Sequence, residues 1–230
     1  MTASGQKVQA IVTDIEGTTS SLSFVKEVLF PYARAHIGDY VRCHAEEGTI
    51  VPLLNDVRMA AGEDLSLEGV IAQLEQWIDE DKKITPLKTL QGMVWEQGYR
   101  QGDFTGHIYA DARDKLAQWQ QQGIRLYVYS SGSVYAQKLL FGHTQYGDLN
   151  PLFSGYFDTR VGTKVEADAY RHIAQAIDCP AGDILFLSDI EAELDAARAA
   201  GMQTLWLVRD GALDAQAAHR QVRDFSAITV

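Results

Sequence analysis

Asp14 and Glu16 stand two residues apart after an apolar run, Ala10-Ile11-Val12-Thr13, and are followed by Gly17, Thr18 and Thr19. The run reads as a buried strand. Side chains alternate along a strand, so both acids should leave its end on one side. Two carboxylates placed together repel, and a bound cation is the simplest reason to keep both ionised. The bland alternative is a strand that ends in an acidic turn, and three later segments argue against it. A second apolar run, residues 124–129, ends in Ser130-Ser131-Gly132-Ser133 just before a helical pattern. Val161-Gly162-Thr163 leads into Lys164, and residues 183–188 deliver Asp189 with Glu191 and Glu193 beyond it. Open α/β sheets collect ligands at the carboxyl ends of their strands, so these segments can meet in one crevice.

With this order of residues the chain resembles the haloacid dehalogenase-like hydrolase superfamily. Its four motifs are an aspartate nucleophile after the first strand, a Ser/Thr after the second, a lysine and an acidic pair. They correspond to Asp14, Ser130, Lys164, and Asp189 with Glu193. Most phosphatases of the superfamily carry a second Asp two residues after the nucleophile, whereas this chain has Glu16. The run Asp14-Ile15-Glu16-Gly17-Thr18-Thr19 is similar to one branch, the enolase-phosphatases of methionine salvage. Supporting stretches are Tyr129-Ser130-Ser131-Gly132-Ser133, Lys138-Leu139-Leu140-Phe141-Gly142-His143 and Leu90-Gln91-Gly92-Met93-Val94-Trp95-Glu96-Gln97-Gly98-Tyr99.

The resemblance covers the whole chain. It implies a Rossmann-like, doubly wound parallel α/β sheet with an inserted all-helical cap, and one Mg²⁺ per chain. The substrate implied is 2,3-diketo-5-methylthiopentyl-1-phosphate, enolised and dephosphorylated through an aspartyl-phosphate to the acireductone 1,2-dihydroxy-3-keto-5-methylthiopentene. It also implies that the backbone carbonyl of Glu16, rather than its side chain, binds the metal. The alternative is a generic Mg²⁺-dependent phosphatase of the same superfamily, a choice that the cap decides. A metal-free dehalogenase would leave Glu16 and the acidic pair without work. A receiver-like binding module would be shorter and place its aspartate later in the strand order.

The residue types suit phosphate-monoester hydrolysis. An Asp ionised at neutral pH can attack phosphorus in line and form an acyl phosphate that water cleaves; Asp14 fits that role. Glu16 would protonate the leaving alkoxide and then take a proton from water. Lys164 supplies a point charge against the developing negative charge. Ser130 and Ser131, with the backbone N–H groups of Ser131 and Gly132, lie before a helix N-terminus and can hold a phosphoryl group. Either serine could instead be the helix N-cap. Mg²⁺ prefers carboxylates, carbonyls, phosphate oxygens and water, and Asp14 and Asp189 are the best side-chain ligands. Asp189 could also be a helix N-cap. Glu193 lies one helical turn further, facing the same way as Asp189, and would orient metal-bound waters or Lys164. Thr18 and Thr19 would donate hydrogen bonds near Asp14. The base for enolisation stays open between Glu16 and a cap residue.

Strands are expected near residues 8–13, 124–129, 184–188 and 203–208, with a weaker one near 155–159. Helical patterns fill residues 109–122, 133–141, 165–177 and the stretch from 191 to Gly201. This alternation predicts a parallel sheet with helices on both faces. The first crossover is far longer than a βαβ unit needs. Its apolar residues recur with helical period at Val25, Val28, Leu29 and Tyr32, and again at Ile71, Leu74 and Ile78. We therefore divide the chain into a catalytic core, residues 1–19 and 106–230, and a helical cap, residues 20–105. The tail with Ala212, Ala215, Ala217 and Ala218 is expected to form a helix on the core.

Composition narrows the partners. The chain has 230 residues, 46% of them hydrophobic, and a net charge of -11. That charge disfavours nucleic acid as a partner but not a small phosphorylated substrate, which a local Lys and a metal can hold. No apolar run approaches the roughly 18 residues needed to span a membrane. The first seven residues lack the apolar region of a signal peptide, so the expected location is the cytoplasm. Cys43 and Cys179 lack metal or redox spacing and are expected as free thiols in buried packing. The six histidines show no metal-ligand spacing and are expected to be structural or solvent-facing, with His143 the one to watch. With no heptad or apolar seam, the chain is expected to be a monomer.

Overall fold

The chain is described by a computed structural model over residues 7–230. In chain order it runs β1 (Ala10–Thr13), a π-helical turn (Phe24–Leu29), α1 (Phe30–His44), α2 (Val51–Ala61), α3 (Leu67–Asp79), α4 (Thr85–Gln101) and α5 (Ala110–Gln121). It continues through β2 (Arg125–Tyr129), α6 (Val134–Gly142), β3 (Gly155–Phe157), α7 (Ala167–Ala176), β4 (Ile184–Ser188), α8 (Glu191–Ala199), β5 (Gln203–Leu207) and β6 (Gln221–Val222). Two compact units result. One contains the described residues through Leu22 together with Gly106–Val230; the other is Ser23–Thr105.

The first unit is built on a six-stranded sheet of order β3-β2-β1-β4-β5-β6, parallel throughout. All four residues of β1 are buried, as expected of a strand covered on both faces. Its register sets the site: Thr13 lies beside Val128 of β2 and Leu187 of β4. The residues that follow these three strands therefore leave the sheet side by side. Ala10, Val12, Tyr127, Tyr129 and Phe186 pack with Tyr170, Ile173, Leu194 and Ala197 from α7 and α8. Helix α5 packs beside β2, outside that cluster, and its Trp119 meets Phe225 with ring centroids 5.8 Å apart.

The second unit is helical, with its own core. Ile37 and Val41 of α1, Leu54 and Val57 of α2, Val70, Ile71 and Leu74 of α3, and Leu87, Leu90 and Val94 of α4 interlock. Ser66 caps α3 by accepting from the Gly69 N–H at 3.2 Å. No helix among the described residues is long and apolar enough to cross a membrane. Both cysteines are free thiols; Cys179 is buried, but Cys43 is exposed, contrary to the expectation of burial.

The expected tail helix is absent: residues 209–220 form turns and bends. Ala212, Ala215 and Ala218 are exposed and Ala217 is only half-buried, and a helix without a buried apolar stripe lacks what stabilises most helices. Polar contacts hold the segment instead. His219 is buried, with Nδ1 2.7 Å from Thr204 Oγ1 and Nε2 3.0 Å from Asp195 Oδ1. Arg198 donates to the Ala218 carbonyl at 3.1 Å. Replacing His219 by Ala strands the Thr204 hydroxyl, so stability in urea should fall by about 1–3 kcal/mol. Amide exchange at Gln221 and Val222 should rise in step.

Candidate active site

The Asp14 backbone N–H donates to the Leu187 carbonyl at 2.9 Å, which prolongs the β1–β4 ladder by one residue. Beyond it the chain turns at once. The N–H groups of Thr18, Thr19 and Ser20 converge on the Ile15 carbonyl at 3.2, 2.9 and 2.8 Å. The alternation expected to align Asp14 with Glu16 therefore stops at Thr13, and Glu16 sits inside the turn, bridged to Ser20. Gly17 has φ +71°, and a Cβ there would lie 2.1 Å from Asp189 Oδ2. Only glycine allows both that backbone and that neighbour. Thr19 donates its hydroxyl to the Asp14 carbonyl at 3.1 Å. Thr18 does not: its hydroxyl is buried without a hydrogen-bond partner. Its carbonyl accepts from Arg209, from Nη2 at 2.6 Å and Nε at 3.1 Å.

Lys164 reaches Asp14 across 150 residues of sequence. Its Nζ lies 2.5 Å from Asp14 Oδ1 and 2.7 Å from Glu193 Oε2. All three side chains are nearly out of water: Asp14 is 5%, Lys164 7% and Glu193 8% exposed. Burial alone would push the Lys164 ammonium down, but the charges of Asp14 and Glu193 outweigh it and hold the ammonium above its usual value. Burial and then the Asp14 charge push the Glu193 carboxyl up, against the pull of Lys164. Ser188 donates to Glu193 Oε2 at 2.8 Å.

Two tyrosines fix the lysine's backbone. Tyr129 donates to the Gly162 carbonyl at 3.0 Å and Tyr170 to the Lys164 carbonyl at 2.7 Å. Gly162 has φ +134°, and a Cβ there would meet the Ala169 methyl at 2.9 Å, so glycine is required at this bend.

Asp189 follows β4 directly. It is not the N-cap of α8; that position is Ile190, without a side-chain cap. Burial, then the negative charge of Asp14, pushes its carboxyl up to about 7. Three carboxylates thus face one ammonium, an excess of negative charge that a divalent cation would relieve. Among the described residues no three His, Cys, Asp or Glu side chains are arranged to enclose a metal. A cation held by two carboxylates, a backbone carbonyl, phosphate and water suits such a sparse donor set.

After β2, Ser130 is buried and Ser131 exposed. Neither caps α6: Ser133 does, accepting from the Ala136 N–H at 3.2 Å. The Gly132 N–H is engaged by Ser130 Oγ at 3.2 Å. Buried Gln137 clamps this turn, donating to the Gly132 and Phe157 carbonyls at 2.8 Å each. Asp158 accepts from the Val134 N–H at 3.2 Å. Burial raises its carboxyl, but hydrogen bonds from Arg160 and Val134 outweigh that and hold it low. His143 donates Nδ1–H to the Leu139 carbonyl of its own helix at 3.0 Å, and His107 touches the loop after β1.

A family model described as haloacid dehalogenase-like hydrolase matches residues 8–201. The chain belongs to that family. Among its relatives, a Methylococcus capsulatus protein named Enolase-phosphatase E1 is 62% identical over 222 residues, 96% of this chain and 97% of the relative. A Pseudomonas syringae pv. syringae protein of the same name is also 62% identical, with the same coverage. The crystal structure of UTR4 protein from Saccharomyces cerevisiae matches with TM-score 0.83 at 33% identity, over 96% of this chain and 100% of that one. CbbY from Rhodobacter sphaeroides, in complex with phosphate, matches with TM-score 0.60 at 17% identity over 96% of each chain, a likeness of fold. In this haloacid dehalogenase-like hydrolase Asp14, Lys164 and Glu193 meet directly, Asp189 lies within their field, and Ser130 leaves the neighbouring strand.

A carboxyl raised from 3.8 to about 7 on folding binds its proton more tightly in the native state. Its contribution to stability is therefore full below pH 4 and is lost as pH rises through 7. In a chelating buffer Asp189→Asn should melt higher than the parent at pH 8, by at least about 2 °C. The gap should shrink at pH 5. Added Mg²⁺ should stabilise the parent and not the variant.

Proposed function

We propose that this chain catalyses the Mg²⁺-dependent enolisation and dephosphorylation of 2,3-diketo-5-methylthiopentyl-1-phosphate, releasing the acireductone 1,2-dihydroxy-3-keto-5-methylthiopentene in methionine salvage. The observation that carries this reading is similarity over nearly the whole chain to proteins named Enolase-phosphatase E1, joined to a buried Asp14–Lys164–Glu193 contact.

Asp14 is the nucleophile. Its carboxylate attacks phosphorus and becomes an aspartyl-phosphate, and water then cleaves that intermediate. Lys164 steadies the attacking carboxylate and offsets charge on the transferring phosphoryl group. Ser130, Ser131 and the Gly132 N–H bind the phosphoryl oxygens; the Gly132 N–H must exchange Ser130 for substrate to do so. Glu16 takes the C1 proton in enolisation and returns a proton to the C1 oxygen as it leaves phosphorus. Glu193 orients Lys164, and Thr18 supports the turn through its carbonyl. One Mg²⁺ would be held by Asp14, Asp189 and the Glu16 backbone carbonyl. When bound, it supplies Lewis-acid polarisation of phosphoryl and carbonyl oxygens.

The division into a core, residues 1–19 and 106–230, and a cap, residues 20–105, belongs to the same proposal. The helical segment, Ser23–Thr105, carries none of these catalytic residues. The chain works as a monomer in the cytoplasm.

The test follows enol absorbance and phosphate release together, with Mg²⁺ and the diketo phosphate. An enol transient followed by phosphate is expected. Phosphate release from unrelated esters without an enol signal would leave a general phosphatase. Asp14→Asn should cut phosphate release at least about a thousandfold while the variant still binds substrate. Near-parental turnover would remove Asp14 from the nucleophile's role.

A further inference from the structure

His107 lies directly after the helical unit, where the chain re-enters the first unit. Its Nδ1 is 3.1 Å from the Ser21 backbone N–H and 3.4 Å from Ser20 Oγ. A backbone N–H can only donate, so Nδ1 must present its lone pair. The neutral ring then carries its proton on Nε2. Protonating Nδ1 would break the bond to Ser21, so the anchor itself disfavours the cation. Among the described residues no protein group engages Nε2, and the ring is half-buried.

The surroundings belong to the catalytic loop. The Tyr109 N–H donates to the Thr19 carbonyl at 3.0 Å. The Tyr109 ring stands perpendicular to His107, with centroids 4.9 Å apart. The Arg209 guanidinium lies 3.9 Å over the Tyr109 ring and holds the Thr18 carbonyl and Asp111. Burial pushes the Tyr109 phenol up, against the pull of Arg209. Burial, and then the positive Arg209, pushes the His107 imidazole down, in keeping with a ring that stays neutral.

We propose that His107 is a further catalytic residue, whose Nε2–H donates a hydrogen bond to a carbonyl oxygen of the diketone and stabilises the enolate formed there. The inference rests on the enolase-phosphatase reading. In that step the C1–H bond breaks and its proton passes to the Glu16 carboxylate. The electron pair forms the C1–C2 double bond, and the C2 carbonyl oxygen becomes the anion. His107 keeps its proton throughout and acts as a neutral donor rather than a base. Fixed donors aimed at a developing oxyanion are worth about 10²–10³ in rate.

Two variants separate this role from a structural one. In His107→Asn the side-chain oxygen can still accept from the Ser21 N–H, but the distal donor is gone. In His107→Gln the amide nitrogen can reach the distal position. Enol formation should fall about a hundredfold or more in the Asn variant and recover at least partly in the Gln variant. Hydrolysis of an aryl phosphate, which has no proton to lose, serves as the control reaction and should fall far less. If enol formation and aryl phosphate hydrolysis fall together in both variants, His107 is a structural anchor and the inference fails. It also fails, alone, if the parent forms enol and the Asn variant matches it. A parent protein that forms no enol overturns the proposed function together with this inference.

Discussion

Lys164 is an ammonium with almost no water around it and a carboxylate on either side. Removing either partner from a buried ion pair leaves an uncompensated charge, at a cost of about 3–5 kcal/mol. Lys164 therefore cannot leave Asp14 and Glu193 cheaply, nor they it. The contact ties the turn after β1, the bend before α7 and the first turn of α8 to one point. It also leaves Asp189 as the carboxylate without an ammonium, pushed up to about 7 by burial and by Asp14. The same clustering that makes the centre costly when empty favours a divalent cation when one is supplied.

The sheet makes this contact possible. Parallel strands bring their carboxyl ends to one edge, and the register of β1 with β2 and β4 puts Asp14, Ser130 and Asp189 at neighbouring exits. Two glycines then do what no other residue could. Gly17 lets the backbone pass beside the Asp189 carboxylate, and Gly162 lets the chain bend against α7 so that Tyr129 and Tyr170 can hold the lysine's backbone.

The strands of the core and the helices of the insertion were legible because burial and period leave their mark on consecutive residues. Asp14 and Asp189 were legible because each follows an apolar run that ends abruptly, and Lys164 because it stands between them in the order of the motifs. What was not legible depends on the backbone of distant residues. Nothing near Tyr170 announces that its hydroxyl meets the Lys164 carbonyl, and nothing near His107 announces the Ser21 N–H. Nothing near Gln137 announces that it clamps the turn after β2. The alanine-rich tail misled because helix propensity alone, with no face to bury, does not make a helix. Ser133 took the cap expected of Ser130 or Ser131 because α6 starts at Val134, directly after it.

The most direct test of the account asks where phosphate goes first. Turnover of the diketo phosphate would be quenched in acid within milliseconds, the acyl phosphate reduced with borohydride, and the modified residue located by mass spectrometry. The account predicts modification at Asp14 in the parent and its loss when Lys164 is replaced by Met. Modification at another residue, or continued phosphate release with Asp14 never modified, would contradict it.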